Sequence, residues 1–177
     1  LISSLTNRCK RNVLGKDVLV IQDTSSYGLG HLKESIEEDS GLGLVGNKTG
    51  LGFLSHVSVV LDAHAEDMLG FSDVQLWHRK EDKSNNTTRI YKQQPIQEKE
   101  SYKWIKASEN SKTLLSEASS ITIIEDREGD IYDQFCMVPD ERTHLIIRSR
   151  SDRNLFNGST MDAVIKKSKL LSKVSIP

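Results

Sequence analysis

The sequence predicts an α/β domain on a mixed five-stranded sheet flanked by helices, with three antiparallel strands first and helix and strand alternating after them. Three observations carry that prediction. A short β-branched run, residues 17–22 (DVLVIQ), stands alone near the start and ends in the polar turn Asp23-Thr24-Ser25-Ser26. Two longer apolar runs, residues 53–63 and 68–79, are separated only by His64-Ala65-Glu66-Asp67, the spacing of a hairpin. After residue 98, segments of helical period alternate with short apolar runs of strand type.

Each element follows in order. Residues 41–52 (GLGLVGNKTGLG) are too glycine-rich for a regular element and read as a loop before the second strand. The second and third strands form the hairpin just described. Residues 80–99 are highly polar and read as an excursion out of the domain. Trp104, Ile105, Leu114, Leu115 and Ala118 mark a helix over 98–118, with a break expected near Ser108–Ser111. Residues 120–125 (SITIIE) form a buried-type strand that ends at Asp126. Asp130 is the expected N-cap of a short helix over 131–137, which Pro139 stops. Residues 143–150 (THLIIRSR) give the fifth strand, and 163–171 carry a weaker helical pattern.

Composition bounds what such a chain does. Its 177 residues suffice for one domain with a real core. Hydrophobic residues at 36% exclude a disordered chain, and no apolar run is long enough to span a membrane. Cys9 and Cys136 form no CxxC pair, so a reduced, cytoplasmic setting is expected. The formal net charge is −1, yet the charge is unevenly spread. Residues 1–16 hold Arg8, Lys10, Arg11 and Lys16 with no acid, and residues 142–173 hold eight basic residues against two acidic ones. Basic ends around an acidic middle suit a phosphate backbone beside a carboxylate site. Ordinary solvated charge at the ends explains them as well.

Asp23 and Asp126 each close a hydrophobic strand. If those strands are neighbours, the two carboxylates project from one edge and offer the oxygen ligands that Mg²⁺ or Mn²⁺ takes. Two such ions would activate an attacking oxygen and stabilise a leaving one. Alone, each aspartate is equally what a turn favours. Arg127 is placed to neutralise those acids or touch phosphate, and Glu128 is as much a solvated side chain as a ligand. GLGLVGNKT misses the Walker spacing by one residue and precedes a strand rather than a helix, which removes a nucleotide-cradling reading. His56 lies inside a strand with no partner at ligand spacing, so it reads as a packed histidine rather than a zinc ligand. Trp77 and Trp104 read as core aromatics.

The words VIQDTSS around Asp23, GLGLVGNKTGLGFLSHVSVVLDA, QLWHR around Trp77, KESYKW around Trp104, IIEDREGDIYD around Asp126 and LIIRSR around Arg148 stand in a telling order. Over residues 15–150 the chain resembles the bacterial insertion-sequence DDE transposases that cut and paste through a DNA-hairpin intermediate. The resemblance implies a ribonuclease-H-like fold whose first and fourth strands are adjacent. It implies that Asp23 and Asp126 are the first two acids of the catalytic triad and bind Mg²⁺ or Mn²⁺. Water and then a freed 3′-hydroxyl would attack phosphodiesters at transposon ends. Arg127, Arg148 and Arg150 would lie near the phosphates of double-stranded DNA, and the full-length protein would act as a homodimer.

The resemblance also divides the chain into a basic linker (1–16), an incomplete catalytic core (17–150) and the start of an inserted region (151–177). The family's third acid, a glutamate in a Y-x2-R-x3-E-x6-K pattern, has no match in this sequence. A start at Leu1 and an end at Pro177 are expected of a segment of a longer protein, and the segment alone is expected to be inactive. Two alternatives stand beside this reading: a transposase-derived module that binds DNA or a partner without catalysis, and another ribonuclease-H-like nuclease.

Overall fold

The first strand is twice as long as its apolar run. In the computed structural model, which describes residues 2–35, 40–45, 50–65, 67–79 and 94–169, β1 spans Asp17–Gly28. Its polar second half, DTSSYG, has the residue types of a turn, but an antiparallel partner holds it extended. Strand β3 (Gly50–Asp62) pairs with it from Val18↔Asp62 to Gly28↔Gly52. Tyr27 stacks on Phe53 at the far end, centroids 4.8 Å apart and nearly parallel. Asp23 therefore lies within a strand and does not close one.

A sixth strand, β2 (Gly43–Val45), comes from the glycine-rich stretch read as loop, and it pairs antiparallel with residues 50–52 of β3. Three residues are too few to leave a periodic signal. The hairpin partner β4 (Met68–Trp77) pairs antiparallel with β3 as expected. Gly70 takes φ 140°, and a Cβ there would come 2.9 Å from that of Cys9. The glycine thus lets a helix approach the strand.

That helix, α1 (Ile2–Asn12), replaces the expected linker. It packs on β4, burying Cys9 completely, and Asn12 Nδ2 donates to the Leu69 carbonyl at 3.2 Å. Ile2, Leu5, Cys9 and Val13 recur at helical spacing despite three basic residues, and the C-terminal half of that stripe, Cys9 and Val13, is what the fold buries while Ile2 and Leu5 stay exposed.

On the other side of β1, strand β5 (Ser120–Glu125) runs parallel to it and β6 (Thr143–Ile147) runs parallel to β5. Among the described residues the sheet has six strands, one more than expected, in the order β4-β3-β1-β5-β6 with β2 also on β3. Helix α2 (Tyr102–Leu114) covers one face. It runs without the expected break, because Ser108 and Ser111 donate back to the Trp104 and Ala107 carbonyls at 2.9 and 2.7 Å. Beneath it lies the core: Val18, Val20, Val60, Leu69, Leu115, Ile121, Ile123 and Val138, with Cys9 and Val13 from the first segment.

Two shorter helices complete the fold: α3 (Tyr132–Met137) and α4 (Met161–Lys167). Thr160 caps α4, its hydroxyl accepting from Ala163 N at 3.3 Å, and Lys166 and Lys167 in the last turn suit the helix dipole. The N-cap of α3 is Ile131 rather than Asp130. Asp130 instead accepts from the Arg150 backbone N–H at 2.7 Å and pairs with Arg153, tying the segment after β6 to the segment before α3. Most of the polar excursion, residues 80–93, and the end of the last helical pattern, residues 170–171, lie outside the described residues.

Candidate functional site

Strand alternation decides where the two aspartates go. Along β1, Val18, Val20 and Gln22 are buried toward α2, while Asp23 is exposed on the other face. Along β5, Ile121, Ile123 and Glu125 are buried and Asp126 follows, exposed. The parallel register of these strands runs to Ile21↔Ile124. Carried two residues further, it sets Asp23 level with Asp126. The register of β5 with β6 reaches Glu125↔Ile147, and one more residue sets Asp126 level with Arg148. Asp23 also pairs with Val57, which pairs with Val74.

One row therefore crosses the sheet: Val74, Val57, Asp23, Asp126, Arg148. The row runs past the last paired rungs, Ile21↔Ile124 and Glu125↔Ile147, so it gathers the two carboxylates and one guanidinium at adjacent strand ends without the ladder setting their separation. The Asp126 carboxylate accepts the Glu128 backbone N–H at 2.8 Å, an Asx turn that steers the chain away from the sheet. The Asp23 carboxylate meets no hydrogen-bond partner among the described residues. Two oxygen donors with open surroundings suit Mg²⁺ or Mn²⁺, which keep several water or phosphate ligands. No group of three His, Cys, Asp or Glu side chains able to hold a metal occurs among the described residues.

The three arginines of interest do not gather in one place. Arg148 stands in the aspartate row, and its backbone N–H donates to the Glu125 carbonyl at 3.1 Å. Arg127 and Arg150 instead line a cleft of about 630 Å³ with Arg79, Lys103, Glu100, Glu128, Ser101 and Trp104. Arg79 holds Glu100 through two bonds of 2.8 and 2.7 Å, which keeps the Glu100 carboxyl below its ordinary value. Lys103 pairs with Glu128 at 3.6 Å and sits over the rings of Trp77 and Trp104. The four cations thus outnumber the two acids, and the excess lies on Arg127 and Arg150.

Behind the aspartate row lies a buried polar cluster. Gln22, His56, Ser108, Glu125 and Gln134 are each no more than 4% exposed. Gln134 Nε2 donates to Ser108 Oγ at 2.8 Å and to Glu125 Oε1, and Gln22 Nε2 donates to Ser108 Oγ at 3.1 Å. His56 Nε2 meets Gln22 Oε1 at 3.3 Å, its Nδ1 meets Thr24 Oγ1 at 2.8 Å, and its ring stands edge-on to Trp104. Burial, reinforced by the Lys103 charge, pushes His56 down to about 3, so the ring is neutral. Burial, reinforced by the Asp126 charge, pushes Glu125 up to about 8, so its carboxyl is protonated at neutral pH. Gly129 seals the cluster, since a Cβ there would lie 2.0 Å from Glu125 Oε2.

Sequence reasoning named the two aspartates as candidates and read His56 as a packed histidine, which it is, but did not see the cluster around it. The available signal was Gln22 and Glu125 occupying inward positions of otherwise apolar strands. No protein-family model matches the chain, and no curated protein matches it.

Proposed function

We propose that this chain is a catalytic-core segment of a DDE transposase, acting on double-stranded DNA through divalent metal held by Asp23 and Asp126. The observation that carries the proposal is the parallel register of β1, β5 and β6, whose last rungs Ile21↔Ile124 and Glu125↔Ile147, carried on by one or two residues, set Asp23, Asp126 and Arg148 level at the same sheet edge. The strand order β4-β3-β1-β5-β6, antiparallel before β1 and parallel after it, supports a ribonuclease-H-like arrangement. The sequence words around these residues support the family.

In this reading Asp23 and Asp126 would hold Mg²⁺ or Mn²⁺, which when bound would supply activation of an oxygen nucleophile and charge stabilisation for the leaving oxygen. Arg148 holds a non-bridging phosphate oxygen beside them. Arg127 and Arg150, with excess positive charge in their cleft, hold the DNA backbone further along. Because in-line phosphoryl transfer asks chiefly for positioning and charge, no nucleophilic side chain is needed. The third acid, pairing of two copies on two DNA ends and a cytoplasmic setting belong to the full-length protein. No helix among the described residues is long and apolar enough to cross a membrane.

Mn²⁺ titration followed by electron paramagnetic resonance tests the site. Binding to the wild-type chain, lost in Asp23→Asn and in Asp126→Asn with the far-UV spectrum unchanged, is the expected result. Equal binding by wild type and Asp23→Asn sinks the two-aspartate site. The presence of only two acids in the row favours a second reading, a transposase-derived module that binds DNA without cutting it. Strand cleavage by the full-length protein excludes that module.

A further inference from the structure

The aspartates sit where the backbone stops joining their strands. The β1–β5 pairing ends at Ile21↔Ile124, two residues short of Asp23 and Asp126. Beyond that rung the strands are joined through side chains on the buried face. Gln22 precedes Asp23, Thr24 follows it and Glu125 precedes Asp126, so both aspartates have sequence neighbours among the bonded groups, which His56, Ser108 and Gln134 join from other segments.

The bonds form a directed chain. Gln22 Oε1 only accepts, so His56 Nε2–H donates to it; the neutral ring then accepts at Nδ1 from the Thr24 hydroxyl. Gln22 Nε2 donates onward to Ser108 Oγ. A serine hydroxyl has two lone pairs and one proton. Here Gln22 and Gln134 fill both lone pairs, and the proton faces Trp104 O at 2.9 Å and Glu125 Oε1 at 3.5 Å. Gln134 Nε2 spends its two protons on Ser108 and Glu125. Reversing the Gln22 amide would leave its buried N–H₂ facing the His56 Nε2–H, donor against donor.

We infer that Thr24, His56, Gln22, Ser108 and Gln134 are positioning residues, a hydrogen-bonded clamp that fixes the gap between Asp23 and Asp126 where the β-ladder does not. The inference rests on the metal reading given above. Apolar side chains at these five places would pack the same face; they would not set the separation of two strands past the end of their ladder. Ser108 is the hub, since β1, β5 and α3 all meet on its oxygen.

The test uses the full chain, with Mn²⁺ as the probe and each variant compared at a temperature where circular dichroism shows it folded. Loss of an orienting partner behind a ligand typically weakens metal binding on the order of 10-fold. Ser108→Ala is expected to weaken Mn²⁺ binding by that factor, and Thr24→Val by a few-fold. Thr24→Ser, which keeps the hydroxyl, is expected to bind as wild type. The Thr24 pair decides the matter if Ser108→Ala does not fold. Long-range proton–nitrogen correlation should show His56 protonated at Nε2 alone, and a proton on Nδ1 overturns the directed chain. If Ser108→Ala and Thr24→Val bind Mn²⁺ like wild type while Asp23→Asn does not, the clamp is refuted and the metal site stands. If the wild type binds no Mn²⁺, the metal reading falls and takes the clamp with it.

Discussion

Raising the pH from 6.5 to 8 is predicted to weaken the folded chain through Glu125, and replacing Glu125 with glutamine is the perturbation that isolates the effect. Burial raises the Glu125 carboxyl from its ordinary 4.5 to about 8. A group raised on folding contributes stability that is complete below its unfolded value and lost as pH rises through its folded value. Glu125 therefore erodes stability between about 4.5 and 8. His56 acts in the opposite sense: burial lowers it from 6.5 to about 3, so stability is lost as pH falls through that window. Each group changes the unfolding free energy by about 1.4 kcal/mol per pH unit inside its window. Between 4.5 and 6.5 the two slopes oppose each other and leave a plateau. From 6.5 to 8 only Glu125 acts, which removes about 2 kcal/mol. Below 4.5 His56 removes a similar amount, joined by Asp62 and Asp140, whose carboxyls Lys16 and Lys112 hold below the ordinary range.

Urea unfolding at half-unit pH steps measures this, provided the denaturant slope stays constant. In Glu125→Gln the alkaline loss should vanish, and stability should climb from pH 4.5 to 6.5 where the wild type is flat. Other groups titrating in the window are common to both proteins and drop out of the difference. A variant that keeps the same alkaline loss as the wild type refutes the assignment to Glu125.

Three more outcomes are expected. Gly129→Ala drives a Cβ into Glu125 Oε2 and should cost about 1–3 kcal/mol, read as a lower midpoint in thermal unfolding; an unchanged midpoint contradicts the close approach. Gly70→Ala combines a disfavoured φ with the 2.9 Å approach to Cys9 and should loosen α1. Burial pushes the Cys9 thiol up to about 11, so Ellman's reagent should titrate only the exposed Cys136 in the wild type and both thiols in Gly70→Ala. Arg127→Ala and Arg150→Ala should each weaken binding to duplex DNA regardless of sequence and reduce the slope of log affinity against log salt by about 0.9. Slopes equal to wild type in both place the DNA elsewhere.

Much of the sheet was legible from apolar period. The β3–β4 hairpin and β5 were expected near their observed limits, because half-buried and buried strands advertise themselves as alternating or continuous apolar runs. The second half of β1 was not, since Asp23, Thr24 and Ser25 are turn formers by type and only the facing strand β3 holds them extended. In α1 the stripe Ile2, Leu5, Cys9, Val13 was present, yet Arg8, Lys10 and Arg11 drew the reading toward a charged linker. Asp130 shows the limit of capping rules: its carboxylate found Arg153 and the Arg150 N–H, partners distant in sequence, before it could serve a local helix. The aspartates were visible as acids after apolar strands. The cluster behind them was not, because Gln22, His56, Ser108 and Gln134 come from four separate segments and converge only in the fold.

The core under α2 changes character along its length, and the change has a consequence for motion. At one end Val18, Val20, Ile121 and Ile123 pack at 1% exposure or less. At the other the same inward positions hold Gln22 and Glu125. Polar contacts of this kind add less to opening free energy than apolar packing, so the two ends of one sheet exchange with solvent at different cost. Amides of Val20 and Ile123 should exchange only when the whole chain unfolds, while those around Gln22 and Glu125 open in smaller excursions. The strand tips that carry the aspartates can thus open as a small unit of their own while the valine–isoleucine core stays shut, and each time they close the side-chain bonds behind them return the acids to one spacing.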